Sequence, residues 1–128
     1  MNLQEFLKRY GIELDGEIIT KGKKVHFYSG KKIPIIGDIQ GLYIGTVEED
    51  MFRPSIDLCQ LATKNLTEID EKTAVKWMCG MNIPIETNEP LVLLKHEPYI
   101  LGGGKVRDGN VFNFVPKNRR LPLSHLRN

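Results

Sequence analysis

The sequence predicts a small α+β fold built around a partly closed sheet. Two observations carry that prediction. Strand-like segments outnumber helical ones and are punctuated by turn signals such as Lys21-Gly22-Lys23 and Asp108-Gly109-Asn110. Their order runs helix, several strands, two short helices and then strands again, which is not the regular strand–helix alternation of a parallel α/β sheet. With 128 residues the chain fits one domain and buries roughly two-thirds of its unfolded surface on folding.

Leu3, Phe6, Leu7 and Tyr10 recur at helical spacing, so residues 2–10 are expected to be a helix that Gly11 ends. Glu17–Thr20 and Lys24–Tyr28 read as a hairpin about Lys21-Gly22-Lys23. Residues 29–38, with two glycines, a proline and the apolar run Ile33–Ile36, read as a loop and as the boundary of an N-terminal piece. Gly41–Val47 is expected to be a strand, with Leu42, Ile44 and Thr46 alternating against Tyr43, Gly45 and Val47. Ser55 is a good N-cap for a helix whose stripe is Leu58, Leu61 and Ala62. After a short strand at Leu66–Ile69, Asp70 caps a second helix with stripe Ala74, Trp77 and Met78, stopped by Gly80. Pro90 opens the apolar strand Leu91–Leu94, and Tyr99–Lys105 and Val111–Val115 follow as a hairpin. There, Phe112 and Phe114 lie two residues apart, so a shared, buried face is expected for them.

Net charge is only +2, but it is unevenly distributed. Residues 46–71 hold seven acids against Arg53 and Lys64; residues 95–128 hold seven bases against Glu97 and Asp108. A basic face on a nearly neutral molecule suits a polyanion. No run of about 18 apolar residues exists to span a membrane, and the N-terminus lacks the pattern of a signal peptide. Cys59 and Cys79 form no Cys-x-x-Cys unit and read as buried thiols of a cytoplasmic protein.

Catalytic chemistry is not signalled. His26, His96 and His125 stand apart from one another and from any second ligand type at helical spacing, so no metal site is expected. The acids Glu48-Glu49-Asp50 sit at an expected turn, and Asp70-Glu71 at a helix start, where the dipole favours them without catalysis. Gly102-Gly103-Gly104-Lys105 lacks the first glycine and the Ser/Thr of a phosphate loop, since Tyr99 and Val106 occupy those places. No cofactor is therefore expected.

The ordered motifs Gly41-Leu42-Tyr43-Ile44-Gly45, Phe52-Arg53-Pro54-Ser55, Leu101-Gly102-Gly103-Gly104-Lys105 and Phe114-Val115-Pro116-Lys117 resemble the PUA-like RNA-binding domain at the C-terminus of RsmF-type RNA cytosine methyltransferases. The opening Phe6–Ile12 is similar to the short helix that precedes the domain there. The resemblance spans nearly the whole chain, as in small stand-alone archaeal relatives grouped with ribosome-biogenesis proteins. It implies a PUA-like pseudo-barrel of mostly antiparallel strands with short helices over residues 39–128, preceded by a helix–hairpin piece over residues 1–38. Two departures stand in the tail. Val115 replaces the family's aromatic residue, and Asn118 replaces the glycine after the lysine. The methyltransferase hallmarks are also missing, because no cofactor glycine loop is found and the cysteines follow Leu58 and Met78 rather than proline.

The expected function is thus an RNA-binding module, not an enzyme, that recognises structured rRNA or tRNA in ribosome biogenesis or RNA modification. Its alternative is a protein-interaction accessory subunit of an RNA methyltransferase. Glycines 102–104 would let a sugar–phosphate chain approach the backbone, or else form a strand bulge. Lys105 and Arg107, at period two, would share a face that Lys117, Asn118, Arg119 and Arg120 extend. Arg53 would reach phosphate or pair with Glu49 or Asp50. Tyr99, Phe112 and Phe114 are the aromatic candidates for stacking, with the core as the competing place for each.

Overall fold

The computed structural model describes residues 1–28 and 41–124. The expected loop at 29–38, its run Ile33–Ile36, the boundary at 38/39 and His125 therefore lie outside the described residues or overlap that limit. Helices α1 (Leu3–Arg9), α2 (Ile56–Cys59) and α3 (Glu71–Met78) are set among the strands. The first four strands are β1 (Glu17–Lys21), β2 (Lys24–Tyr28), β3 (Leu42–Val47) and β4 (Phe52–Pro54), which pair antiparallel in sequence order. The others are β5 (Thr67–Glu68), β6 (Ile83–Pro84), β7 (Leu91–His96), β8 (Tyr99–Arg107) and β9 (Asn110–Asn113). They form a second sheet in the order β5-β7-β8-β9-β6, antiparallel except where β5 runs alongside β7. A 3-10 turn, Lys117–Arg119, follows.

Local chemistry sets most of the element ends. Asn2 accepts the Glu5 N–H and donates to its carboxylate, a reciprocal cap that starts α1. Ser55 Oγ accepts from Leu58 N–H at 3.0 Å, and Asp70 Oδ1 from Thr73 N–H at 2.7 Å. Gly80, at φ +94°, closes α3. Asp108 and Gly109 both have positive φ (52° and 76°), as a two-residue hairpin turn of the primed type requires.

The core lies on both faces of β7. Leu91 and Leu93 join Phe6, Tyr10, Ile44, Phe52 and Leu58 in one cluster, while Val92 and Leu94 join Trp77, Ile83, Val111 and Val115 in another. This two-sided burial explains why β7 reads as a continuous apolar run and not as an alternation. Each such side chain contributes about 1.5–3 kcal/mol when taken from water. Helix α1 is fastened to the same strand by Tyr10, whose hydroxyl donates to the Leu91 carbonyl at 3.2 Å. Burial raises the Tyr10 phenol above its ordinary pKa.

Four expectations need correction. Helix α2 stops at Cys59, because Leu61 and Ala62 donate to carbonyls three residues back (3.0 and 3.1 Å) and the tightened turn swings Leu61 outward. In β3, Val25 faces Gly45 while His26 faces Tyr43, so Ile44 is an extra residue and the expected alternation breaks. Strand β9 ends at Asn113, whose Oδ1 accepts from Val115 N–H at 2.8 Å. That turn separates Phe112 from Phe114: the buried residues are Val111 and Val115, and Phe112 is exposed. Finally, β6 was not anticipated; it is a two-residue edge strand containing Pro84, paired only with β9.

The cap of α3 makes a pH-dependent prediction. The Thr73 side chain and N–H hold the Asp70 carboxyl below its ordinary range. Its stabilising effect is therefore present above about pH 4 and is lost as pH falls through its lowered native pKa. The difference in Tm between the wild type and Asp70→Ala is expected to be largest near about pH 6 and to shrink below about pH 4. A difference independent of pH across that window would contradict the assignment.

Candidate nucleic-acid interface

A cleft of about 540 Å³ opens between the first sheet and the C-terminal tail. Tyr43 and Thr46 of β3, Glu48 and Arg53 of the β3–β4 hairpin, Asp57 of α2, and Phe114, Asn118 and Arg119 of the tail line it. The β3 bulge puts Tyr43 and Thr46, three residues apart, on one side, where their hydroxyls are hydrogen-bonded. The Asn113 turn delivers Phe114 beneath Arg53, whose guanidinium carbon lies 4.3 Å from the ring centroid. Arg53 pairs with Glu48 at 3.6 Å, not with Glu49 or Asp50 as expected. Arg119 donates to Asp57 at 3.0 Å.

Of the residues singled out in the sequence, Arg53, Asn118 and Arg119 thus come together. Lys117 is exposed in the adjoining 3-10 turn. Arg120 does not join the cleft: its Nε donates to the Val115 carbonyl at 3.0 Å, and its side chain lies so close to Gly80 that a Cβ there would fall 2.6 Å from Arg120 Cδ. Lys105 is ion-paired with Asp50, and that bond is the main cause holding the Asp50 carboxyl below its ordinary range. Arg107, exposed on the same strand, adds to the lowering. The expected single basic surface is therefore resolved into a tail group about the cleft and a β8 group about Asp50. Lys117 and Arg107 have no ion-pair partner among the described residues.

The glycine run is a further correction. Gly102, Gly103 and Gly104 are buried, all three paired with β7 and Gly104 also with β9. A Cβ on Gly103 would lie 2.5 Å from Leu93 Cδ2, and one on Gly104 only 2.2 Å from the Phe112 carbonyl. These glycines let core side chains and neighbouring strands approach; the expected close approach of a sugar–phosphate chain does not fit their burial. Tyr99, by contrast, is 69% exposed at the β7–β8 turn.

The sequence reading missed Tyr43, Glu48 and Asp57 as cleft residues. Only the bulge and the return of the tail bring them to Arg53 and Arg119, and neither has a local signature. No group of three or more His, Cys, Asp or Glu positioned to hold a metal occurs among the described residues. Nor, among those residues, is any helix long and apolar enough to cross a membrane.

Mostly antiparallel strands with few short helices are the make-up of a PUA-like pseudo-barrel. Residues 64–121 match the family model of the methyltransferase RsmF PUA domain, so this segment is similar to that domain. The matched segment runs from the residues before β5 through the 3-10 turn, a narrower span than the near-complete one the resemblance implied. It includes Phe114, Asn118 and Arg119, whereas Tyr43, Glu48, Arg53 and Asp57 precede it. No curated protein matches the chain.

Proposed function

We propose that the protein is an RNA-binding module that recognises structured rRNA or tRNA in ribosome biogenesis or RNA modification. In this reading it acts in the cytoplasm, does no chemistry of its own, and serves a methyltransferase or a ribosomal precursor. The observation that carries the reading is the RsmF-type PUA match, whose segment supplies the tail cations beside an aromatic cleft. Exposed Lys117 and Arg107 contact phosphates, and the Arg53–Phe114 stack offers a platform for a base.

Mobility-shift titrations with tRNA and rRNA fragments over a salt series test this. Binding at micromolar protein and low salt is expected, weakening as salt rises. Replacing both Lys117 and Arg107 with alanine should reduce the log–log salt slope by about 0.7 per lost contact. Absence of binding at micromolar protein would overturn the proposal. A second reading, docking onto an enzyme partner, draws on exposed Leu121 and Leu123 in the tail. Co-purification that survives nuclease treatment would favour it.

A further inference from the structure

The groups that line the cleft are a poor match for a phosphate. Arg53 and Arg119 are each held by a carboxylate, Glu48 and Asp57, so the formal charges of these four cancel. A phosphate entering would have to displace a carboxylate or lie against it. The Arg53 guanidinium, stacked on Phe114, instead presents a flat cationic surface on which a nucleobase can lie. Resting on the RNA-binding reading above, the geometry points to a more particular ligand: one unpaired guanine, stacked on Arg53 and read on its edges by Glu48, Asp57 and Arg119.

The choice among bases follows from donor and acceptor order. A carboxylate has two acceptor oxygens, and guanine alone offers two adjacent donors, N1–H and the N2 amino group. Uracil has a single donor between two acceptors. In cytosine and adenine one amino group sits beside a ring acceptor. A guanidinium presents paired donors, and guanine again offers adjacent acceptors, O6 and N7. Arg119 and Asp57, 3.0 Å apart, set paired donors beside paired acceptors. A duplex hides the N1 and N2 edge in pairing, so the base must be unpaired. Phosphates on either side of it fall to Lys117 and the other exposed cations.

The test is fluorescence anisotropy with short labelled oligouridylates that carry one central guanosine, adenosine, cytidine or uridine. The guanosine oligomer should bind about 5- to 100-fold more tightly than the others. Inosine, which lacks the N2 amino group, should lose part of that preference. Asp57→Asn and Glu48→Gln, both nearly isosteric changes outside the core, should bring the guanosine oligomer toward the affinity of the rest, with the circular dichroism spectrum unchanged. Equal affinity for all four oligomers, or a guanosine preference that survives both substitutions, would overturn the inference while leaving RNA binding intact. Failure to bind tRNA, rRNA and every oligomer would instead remove the RNA-binding reading itself.

Discussion

Replacing Trp77 with alanine should cost about 3–5 kcal/mol, the range for emptying a large aromatic site in a core. Trp77 is fully buried at the centre of the second cluster, among Ile83, Val92, Leu94, Val111 and Val115. Its indole N–H donates to the Leu101 carbonyl at 2.8 Å, and its own carbonyl accepts from Asn113 Nδ2 at 2.7 Å. The side chain thus joins α3 to β8, and the backbone at the same residue joins α3 to the end of β9. Trp77→Phe keeps much of the volume and removes the hydrogen bond, so a smaller loss, about 1–3 kcal/mol, is expected from the unsatisfied carbonyl. Urea unfolding followed by far-UV circular dichroism measures both, since the chain has a single tryptophan and fluorescence is lost with it. An unchanged midpoint for Trp77→Ala would show that α3 does not hold the second sheet.

Gly104→Ala should destabilise by about 2–3 kcal/mol, at the upper end of overpacking. The added methyl would lie 2.2 Å from the Phe112 carbonyl oxygen, 2.6 Å from Val111 Cγ1 and 2.9 Å from the Trp77 ring. The nearest of these is the backbone of a paired strand, which cannot turn aside as a flexible side chain can. Gly109→Ala is the control. It meets nothing within 4 Å, and its cost of about 1–2 kcal/mol comes only from the left-handed φ of +76°. Equal midpoints for the two variants would mean that β8 and β9 can move apart freely. RNA affinity per folded molecule should be unchanged in Gly104→Ala, because position 104 lies inside the sheet. A selective loss of RNA binding would restore the phosphate-approach reading of the glycines.

Much of the fold was readable from short stretches. Ser55, Asp70, Gly80 and the Asp108-Gly109 turn each act through bonds or dihedrals within a few residues, so their effect is visible without knowing the partner strands. Leu91–Leu94 was equally plain, since two-sided burial leaves an unbroken apolar run. The errors share a cause. The ambiguous Gly102–Gly104 run has the composition of a ligand loop and of a packing strand, and only β7, β9 and Trp77 around it decide between them. Phe112 was misplaced, while Phe114 does pack against the first core cluster, because a single side chain, Asn113, turns the strand between them. The single basic face was drawn from charge counts along the chain, while Asp50 and Asp57 hold Lys105 and Arg119 from distant segments.

By itself the sequence determined an α+β chain of short capped helices and hairpins, a two-faced central strand and an excess of cations near its C-terminus. Those properties arise from interactions between near neighbours and from side-chain patterning, which are written along the chain. The tertiary structure alone decided which cations stand free, which aromatics face solvent and that Arg53 meets Phe114 beside two carboxylates. These depend on a one-residue bulge and on the return of the tail to Arg53 from Phe114, far along the chain. A small change in strand register redirects every side chain that follows it, so no reading of composition or spacing could have fixed them.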